Sequence, residues 1–238
     1  MREAPAKDAP SSENEVRTGV RTIVIATKNR GKSAEIREFL SGYPVDLKDL
    51  NDFGPIPEAV EDGKTFEENA YKKAGFTARI LGLPALADDS GLEVEALEGA
   101  PGVHSARYAG PNATDPLNNE KLLSALKGIE NRKARFCCVL SLAVPAGHAL
   151  TYEAACEGTI LHEPRGEKGF GYDPLFYYSP EGKTFAEMSL EEKSRVSHRG
   201  RALAELRNEF DKVLKWLDLR DEEEKIRRGA HEICQSPD

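Results

Sequence analysis

The sequence predicts a mixed α/β sheet flanked by helices. Short apolar runs rich in β-branched residues alternate with amphipathic helix patterns in the first half of the chain. A long pair of alternating segments meets at Pro145-Ala146-Gly147-His148 and reads as a β-hairpin. Helical spacing then dominates the C-terminal part. Strand–helix pairs, a central hairpin and late helices suit one sheet covered by helices.

Each element has its own warrant. Val20 to Ala26 is a short apolar run that suits a buried strand. The turn Thr27-Lys28-Asn29-Arg30-Gly31-Lys32 follows, then a helix carrying Ile36, Phe39 and Leu40. Val45 to Leu50 reads as a second strand. Thr65 and Glu68 form the pattern of a capping box, worth about 1 kcal/mol. Phe66, Ala70, Ala74, Ala78 and Leu81 give that helix one apolar face, and Gly82 and Pro84 end it. Leu83 to Ala87 reads as a buried strand stopped by Asp88-Asp89-Ser90-Gly91, with a further strand through Leu92, Val94 and Ala96. Asp115 is the expected cap of a helix whose first residue is Pro116 and whose stripe is Leu122, Leu123 and Leu126. Phe136 to Val144 and Leu150 to Cys156 alternate as the two arms of the hairpin. Ser189 and Glu192 mark a second capping box, and Leu203, Leu206, Phe210, Val213, Leu214 and Leu217 follow helical spacing. After Leu219 charges take over, and fraying is expected there.

Length and charge narrow the function. The chain has 238 residues, read as a 1–19 disordered N-terminal extension, a single 20–217 domain and a charged 218–238 C-terminal tail. Lys plus Arg number 33 against 41 Asp plus Glu, a net charge of −8. That balance argues against a nucleic-acid partner but not against a small phosphorylated substrate. No apolar run approaches the ~18–20 residues that span a bilayer, so no membrane partner is expected. The polar N-terminus lacks the apolar stretch expected of a signal peptide, and the cysteines at 137, 138, 156 and 234 match no zinc spacing. A reduced, cytoplasmic protein is the reading.

Several segments can carry chemistry. Gly31-Lys32-Ser33 ends like a P-loop, but Ala26 stands where that pattern needs glycine. What survives is a strand entering a helix N-terminus beside Lys28, Arg30 and Lys32, where free N–H groups and cations suit polyphosphate oxygens. A solvated helix start explains the same residues. Asp88 and Asp89 are neighbouring anions that need a cation, and hard oxygen ligands suit Mg²⁺; an acidic turn is the competing explanation. Glu61-Asp62 is a second acidic pair, whereas Glu67-Glu68 is accounted for by its helix N-terminus. Phe170 and Tyr172 among Gly169 and Gly171 can stack on a base or line an ordinary loop. His198 and Arg199 stand where one helix pattern stops and another begins, one turn after Lys193. His104, His148, His162 and His231 have no partners at metal spacing, and Cys137-Cys138 places one thiol on each face of a strand.

Together these segments resemble the inosine triphosphate pyrophosphatase family, the XTP/dITP diphosphatases. The resemblance covers about residues 20 to 217 through TKNRGK at 27–32, EDGKTFEENA at 61–70, ADDSGL at 87–92, PGVHSARYAG at 101–110, GFGYDPLF at 169–176 and EEKSRVSHRG at 191–200. Lys28 stands where the family usually has glycine. The resemblance implies Mg²⁺-dependent hydrolysis of ITP, dITP and XTP to the monophosphate and pyrophosphate. It also implies an elongated α/β fold of two lobes around a cleft, and a homodimer. On it, Thr27, Lys28, Asn29, Arg30, Gly31 and Lys32 hold the triphosphate, and Lys32 neutralises its charge. Glu61 and Asp89 are metal ligands with Asp88 flanking the metal; Asp89 also accepts the proton of the attacking water. Ser90 contacts substrate, Phe170, Gly171, Tyr172 and Asp173 line the base pocket, and Lys193, His198 and Arg199 recognise the purine and a phosphate. Two rival functions remain at this stage: a pyrophosphatase for modified pyrimidine or standard triphosphates, and a non-catalytic nucleotide-binding protein.

Overall fold

The computed structural model describes residues 20–234, with side chains through Arg227. The expectation for residues 1–19, and those for the side chains of His231 and Cys234, lie outside the described residues. Seven strands form one sheet in the order β2-β1-β3-β4-β5-β6-β7. They are β1 (Arg21–Ile25), β2 (Val45–Asp49), β3 (Ala85–Val94), β4 (Lys133–Ala143), β5 (Ala149–Ile160), β6 (Phe176–Tyr178) and β7 (Lys183–Thr184). β1 lies parallel to β2 and β3, and every pairing beyond β3 is antiparallel. The helices are α1 (Arg30–Phe39), α2 (Phe66–Leu81), α3 (Asp115–Ala125), α4 (Leu190–Val196), α5 (His198–Asn208) and α6 (Phe210–Cys234). The expected mixed sheet with flanking helices is what forms.

Strand alternation distributes the core. On one face of the sheet Ile23, Ile25, Leu86, Leu140 and Leu142 pack against Ile36 of α1, Leu40 just after it, Leu203 and Leu206 of α5, and Phe210 of α6. On the other face Val24, Ala85, Ala87 and Ala143 meet Ala74 and Ala78 of α2, small side chains that let the helix lie close to the sheet. Further along the same long strands, Leu92, Val94, Phe136, Cys156 and Ile160 build a second core with Leu122, Phe176 and Phe185. The stretch Asp88–Gly91 lies on β3 between the residues of the first core and those of the second.

Four expectations need correction. Asp88-Asp89-Ser90-Gly91 does not stop a strand; it is the middle of β3, paired residue for residue with Leu140 to Cys137 of β4. Antiparallel pairing on the β4 side keeps the acidic stretch extended. The Thr65 side chain does accept from the Glu68 N–H at 3.1 Å, but Glu68 reaches back to the Lys64 N–H at 2.7 Å, so the reciprocal bond is displaced by one residue. Thr114, not Asp115, caps α3, because the Asp115 carboxylate is engaged by the Gly171 N–H at 2.7 Å. The late helical stripe is broken at Glu209 into α5 and α6, and α6 continues through the charged run to Cys234. β6 and β7 were not read from the sequence; they are three and two residues long, too short for a periodic signal.

The corner from α4 into α5 is closed at Gly200, where any Cβ would overlap the Ser194 carbonyl. Gly54 has no heavy atom within 4 Å of such a Cβ. Gly200→Ala is expected to lower stability by about 1–3 kcal/mol, as overpacking does, and Gly54→Ala to change it by less than about 0.5 kcal/mol. Denaturant midpoints of both variants check this, and an unshifted midpoint for Gly200→Ala contradicts the packing.

Candidate active site

β1 ends at Ile25, opposite Leu86 of β3, and Ala26 makes the last bond across this pair, its N–H donating to the Leu86 carbonyl at 2.8 Å. The chain then turns into α1. Asn29 caps that helix, its side chain accepting from the Lys32 N–H at 3.1 Å. The first amides of α1 have no carbonyl one turn back to bond, so the turn from Thr27 to Lys32 presents donors at a positive helix end. Lys32 reaches from there to β3, with Nζ 2.5 Å from Asp88 Oδ1.

At Asp88, beyond the last β1 pairing at Leu86, β3 has no strand on its β1 side; further on, Glu93 bridges Pro101 along that edge. The Asp88 carbonyl points to that open edge and accepts from two ammonium groups, Lys73 Nζ at 3.2 Å and Lys32 Nζ at 3.4 Å. Lys73 comes from α2, on the opposite face from α1. The pleat sends successive side chains to opposite faces, so the two aspartates part company. Asp88 faces α5 and is fully buried. It accepts from Arg199 Nε at 2.7 Å, Ser90 Oγ at 2.8 Å and Cys138 Sγ at 3.2 Å, besides Lys32. Burial pushes its carboxyl up, but Arg199 and Lys32 outweigh that and hold it well below the usual carboxylate range. Asp89 faces α2, with Oδ1 3.0 Å from Lys73 Nζ, and Glu61 Oε1 lies 3.3 Å from the same nitrogen. Burial raises the Asp89 carboxyl above its ordinary value, and Lys73 offsets only part of it. Lys73 itself is raised, because Asp89 and Glu61 outweigh the effect of burial.

The structure therefore brings Glu61 and Asp89 together, and it turns Asp88 away from both. The expectation that Asp88 flanks a metal does not fit: its carboxylate is surrounded by two cations, a hydroxyl and a thiol. Among the described residues no group of three His, Cys, Asp or Glu side chains forms a ready metal site. Asp89 and Glu61 alone are a suitable pair of hard oxygen donors for Mg²⁺, which commonly takes one or two carboxylates plus substrate phosphates.

The base-side residues gather around Phe170. Lys193 Nζ lies 4.6 Å from the Phe170 ring centroid and the Arg199 guanidinium 5.5 Å. The ring also lies against Gly31, where a Cβ would come within 2.7 Å of it. Lys193 is bound by Asp173 Oδ2 at 2.6 Å and Glu35 Oε1 at 2.9 Å, and Arg199 by Asp88 and Glu35. Asp173 Oδ2 also accepts the Phe170 N–H at 2.9 Å. Burial leaves the Asp173 carboxyl above its usual range despite Lys193. Tyr172 is buried and donates to the Ser105 carbonyl at 2.9 Å, so it braces the loop from beneath. His198 is buried and stacked on Phe136, with centroids 4.6 Å apart at 10°. Burial, then Arg199 and Lys193, hold its imidazole neutral, and its Nδ1 has no hydrogen-bond partner.

Two predicted residues stand apart. Lys28 is exposed and paired with Glu58 at 2.7 Å, and Arg30 is exposed at the start of α1. Sequence reasoning missed Glu35, Lys73, Arg107, Asp115 and Asn119. Glu35 and Lys73 lie beside Ile36 and Ala74 on their helices, and no neighbouring residue marks either as a site residue. Arg107 donates to the Glu61 carbonyl at 3.2 Å and ties the PGVHSARYAG segment to the acid loop. Asp115 and Asn119 grip Gly171 from both sides, accepting from its N–H at 2.7 Å and donating to its carbonyl at 3.0 Å.

A dITP/XTP pyrophosphatase of Syntrophobacter fumaroxidans is 73% identical over 213 residues, covering 89% of this chain and 92% of that one. One from Geobacter sulfurreducens is 56% identical over 188 residues, covering 78% of this chain and 94% of that one. Among solved structures, a HAM1 protein from Coxiella burnetii superposes with a TM-score of 0.75 at 43% identity, over 81% of this chain and all of that one. Residues 23–209 match the model of the Ham1 family, and the chain belongs to that family.

Proposed function

We propose that this protein is a metal-dependent nucleoside triphosphate pyrophosphohydrolase. It converts non-canonical purine triphosphates (dITP, XTP and ITP) to the monophosphate and pyrophosphate and so clears them from the nucleotide pool. The observation that carries this reading is the meeting of Lys32, the start of α1, Asp89 and Glu61 at the open edge of β3. The names of the Syntrophobacter and Geobacter relatives support the substrate class. The proposal includes the cytoplasm as the place of action and a homodimer as the assembly.

The chain's own groups divide the work as follows. The turn from Thr27 to Lys32 binds the triphosphate through its amides, Asn29 and the Lys32 ammonium, and Ser90 lies beside it. Water attacks the α-phosphorus, the bond from that phosphorus to the β-phosphate oxygen breaks, and pyrophosphate leaves. Asp89 accepts the proton of the water, a task within reach of a carboxylate placed there. Lys32 and the helix amides neutralise charge on the phosphate oxygens as the bond breaks. Bound by Asp89 and Glu61, Mg²⁺ would supply charge neutralisation and acidify a coordinated water. Phe170, Gly171, Tyr172 and Asp173 form the base loop, with Lys193, His198 and Arg199 beside it. A neutral imidazole keeps one N–H donor, and a 6-oxo purine offers an acceptor where adenine has an amine. Leaving such donors unpaired can discriminate by about 10⁴-fold.

Four experiments test the reading. Across a panel of nucleoside triphosphates, pyrophosphate release is expected from dITP, XTP and ITP with divalent metal and to vanish in excess chelator. Release chiefly from pyrimidine or standard triphosphates would assign another substrate class, and binding of ITP without release would make the protein a binder. Asp89→Asn is expected to lower kcat at least about 100-fold, near 3 kcal/mol, with an unchanged melting midpoint. Asp88→Asn is expected to destabilise the fold by about 3–5 kcal/mol, because it leaves Arg199 buried and undercompensated; equal stability losses in the two variants would remove the distinction drawn between the aspartates. Lys32→Ala is expected to raise KM for ITP or lower kcat about tenfold or more, and an unchanged kcat/KM would place Lys32 outside the site.

A further inference from the structure

We infer that Glu35 is a positioning residue for base selectivity, holding Lys193 and Arg199 at a fixed separation beneath Phe170. The inference rests on the proposed pyrophosphohydrolase function and assigns a task to a residue that this function does not otherwise use.

Glu35 lies one turn after Lys32 on α1, on the buried side of the helix. Its two carboxylate oxygens go to two different cations. Oε1 takes Lys193 Nζ at 2.9 Å, and Oε2 takes Arg199 Nη1. Lys193 is on α4 and Arg199 on α5, yet both ride against the ring of Phe170. Two like charges this close in a buried site repel, and the repulsion grows as the local dielectric falls. Each has a private partner as well, Asp173 for Lys193 and Asp88 for Arg199. Those partners pull the cations apart, toward the base loop and toward β3. Glu35 is the carboxylate that touches both and therefore sets the distance between them.

The result is an alternating chain of six charges: Lys32, Asp88, Arg199, Glu35, Lys193 and Asp173. It runs from the phosphate turn to the base loop and sums to zero. Burial pushes the Glu35 carboxyl up, but Arg199 and Lys193 hold it below its usual range, so it stays ionised. If the task of Glu35 were neutralisation alone, its removal would leave one extra positive charge in the crevice, and anion binding would not suffer. If the task is spacing, the groups facing a purine move while the phosphate side keeps Lys32 and the helix amides. Hydrogen-bond discrimination decays steeply with distance and angle. Selectivity is then the property that fails first.

The test measures Glu35→Gln and Glu35→Asp beside the wild type. Steady-state kinetics with ITP and ATP give the selectivity, and inhibition by inorganic triphosphate reports the phosphate side alone. For Glu35→Gln the ratio of kcat/KM for ITP over ATP is expected to fall about tenfold or more, mainly through KM for ITP. Inhibition by inorganic triphosphate is expected to stay within about twofold or to tighten. Glu35→Asp keeps the charge but is one methylene shorter, and its ratio is expected between the two. A retained ratio in Glu35→Gln overturns the inference, as does inhibition that weakens in step with ITP turnover. Should Glu35→Gln not fold, a wild-type ratio in Glu35→Asp overturns it. Failure of the wild type to cleave ITP would instead sink the functional reading on which the inference stands.

Discussion

β3 outruns β1, and the chemistry of the site follows from that mismatch in length. A sheet interior satisfies its carbonyls with neighbouring strands, and an orphaned buried carbonyl costs stability. At Asp88 the β1 side of β3 is vacant, and two lysine ammonium groups from opposite faces supply the missing donors. Their convergence draws cations to one point of an otherwise apolar sheet. The same vacancy lets the turn after β1 and the first turn of α1 lie beside the middle of β3 instead of beyond its end. A helix start with unbonded amides, a buried anion and a second acidic site are thereby held within side-chain reach of each other.

Alternation along β3 then gives two adjacent aspartates different tasks. They are identical in chemistry and neighbours in sequence, but one pleat separates their surroundings. Asp88 meets Arg199, Lys32, Ser90 and Cys138 and is depressed; Asp89 meets Lys73 and Glu61 and is raised. A carboxylate saturated by donors is a poor base and a good anchor. One raised by burial and facing a single ammonium is the better proton acceptor. The division of labour comes from strand geometry, with no need for any difference between the residues themselves.

The fold class was legible because hydrophobic period and turn residues are local signals. The hairpin of β4 and β5, the apolar face of α2 and the capping box at Ser189 all follow from residues within a few positions of each other. The acidic stretch of β3 was misread for the same reason: four polar or small residues look like a turn until β4 is laid beside them. Site residues with a conspicuous local pattern, such as Asp88-Asp89 and Phe170 to Asp173, could be picked out singly. Glu35 could not, since its partner Arg199 is 164 positions away and nothing near it announces a cation. Lys73 hid in the same way, as an ordinary lysine on the flank of an alanine-rich helix face. Long-range charge pairing has no period, so residues of this kind become visible only once the sheet has folded.

Stability alone does not account for so many buried charges. Replacing a buried ion pair by well-packed apolar residues is often neutral or stabilising, while removing one partner is costly. Arg199, Asp88, Glu35, Lys193 and Asp173 are all nine-tenths buried or more and are linked end to end. An apolar cluster of the same volume would hold α1, α4 and α5 against the sheet at least as well. It would not hold hydrogen-bond donors at fixed places beside an aromatic ring and a phosphate turn. Each interior charge of the chain, Asp88, Arg199, Glu35 and Lys193, has partners on both sides, so none of them can shift without exposing another to an uncompensated neighbour. Rigidity of donors, more than net binding energy, is what a linked chain supplies and an isolated pair does not. On the proposed function, such a network suits discrimination between purines that differ by one oxygen and one amine, and it gives a reason why a chain with ample apolar material keeps its most buried arginine against the ring of Phe170.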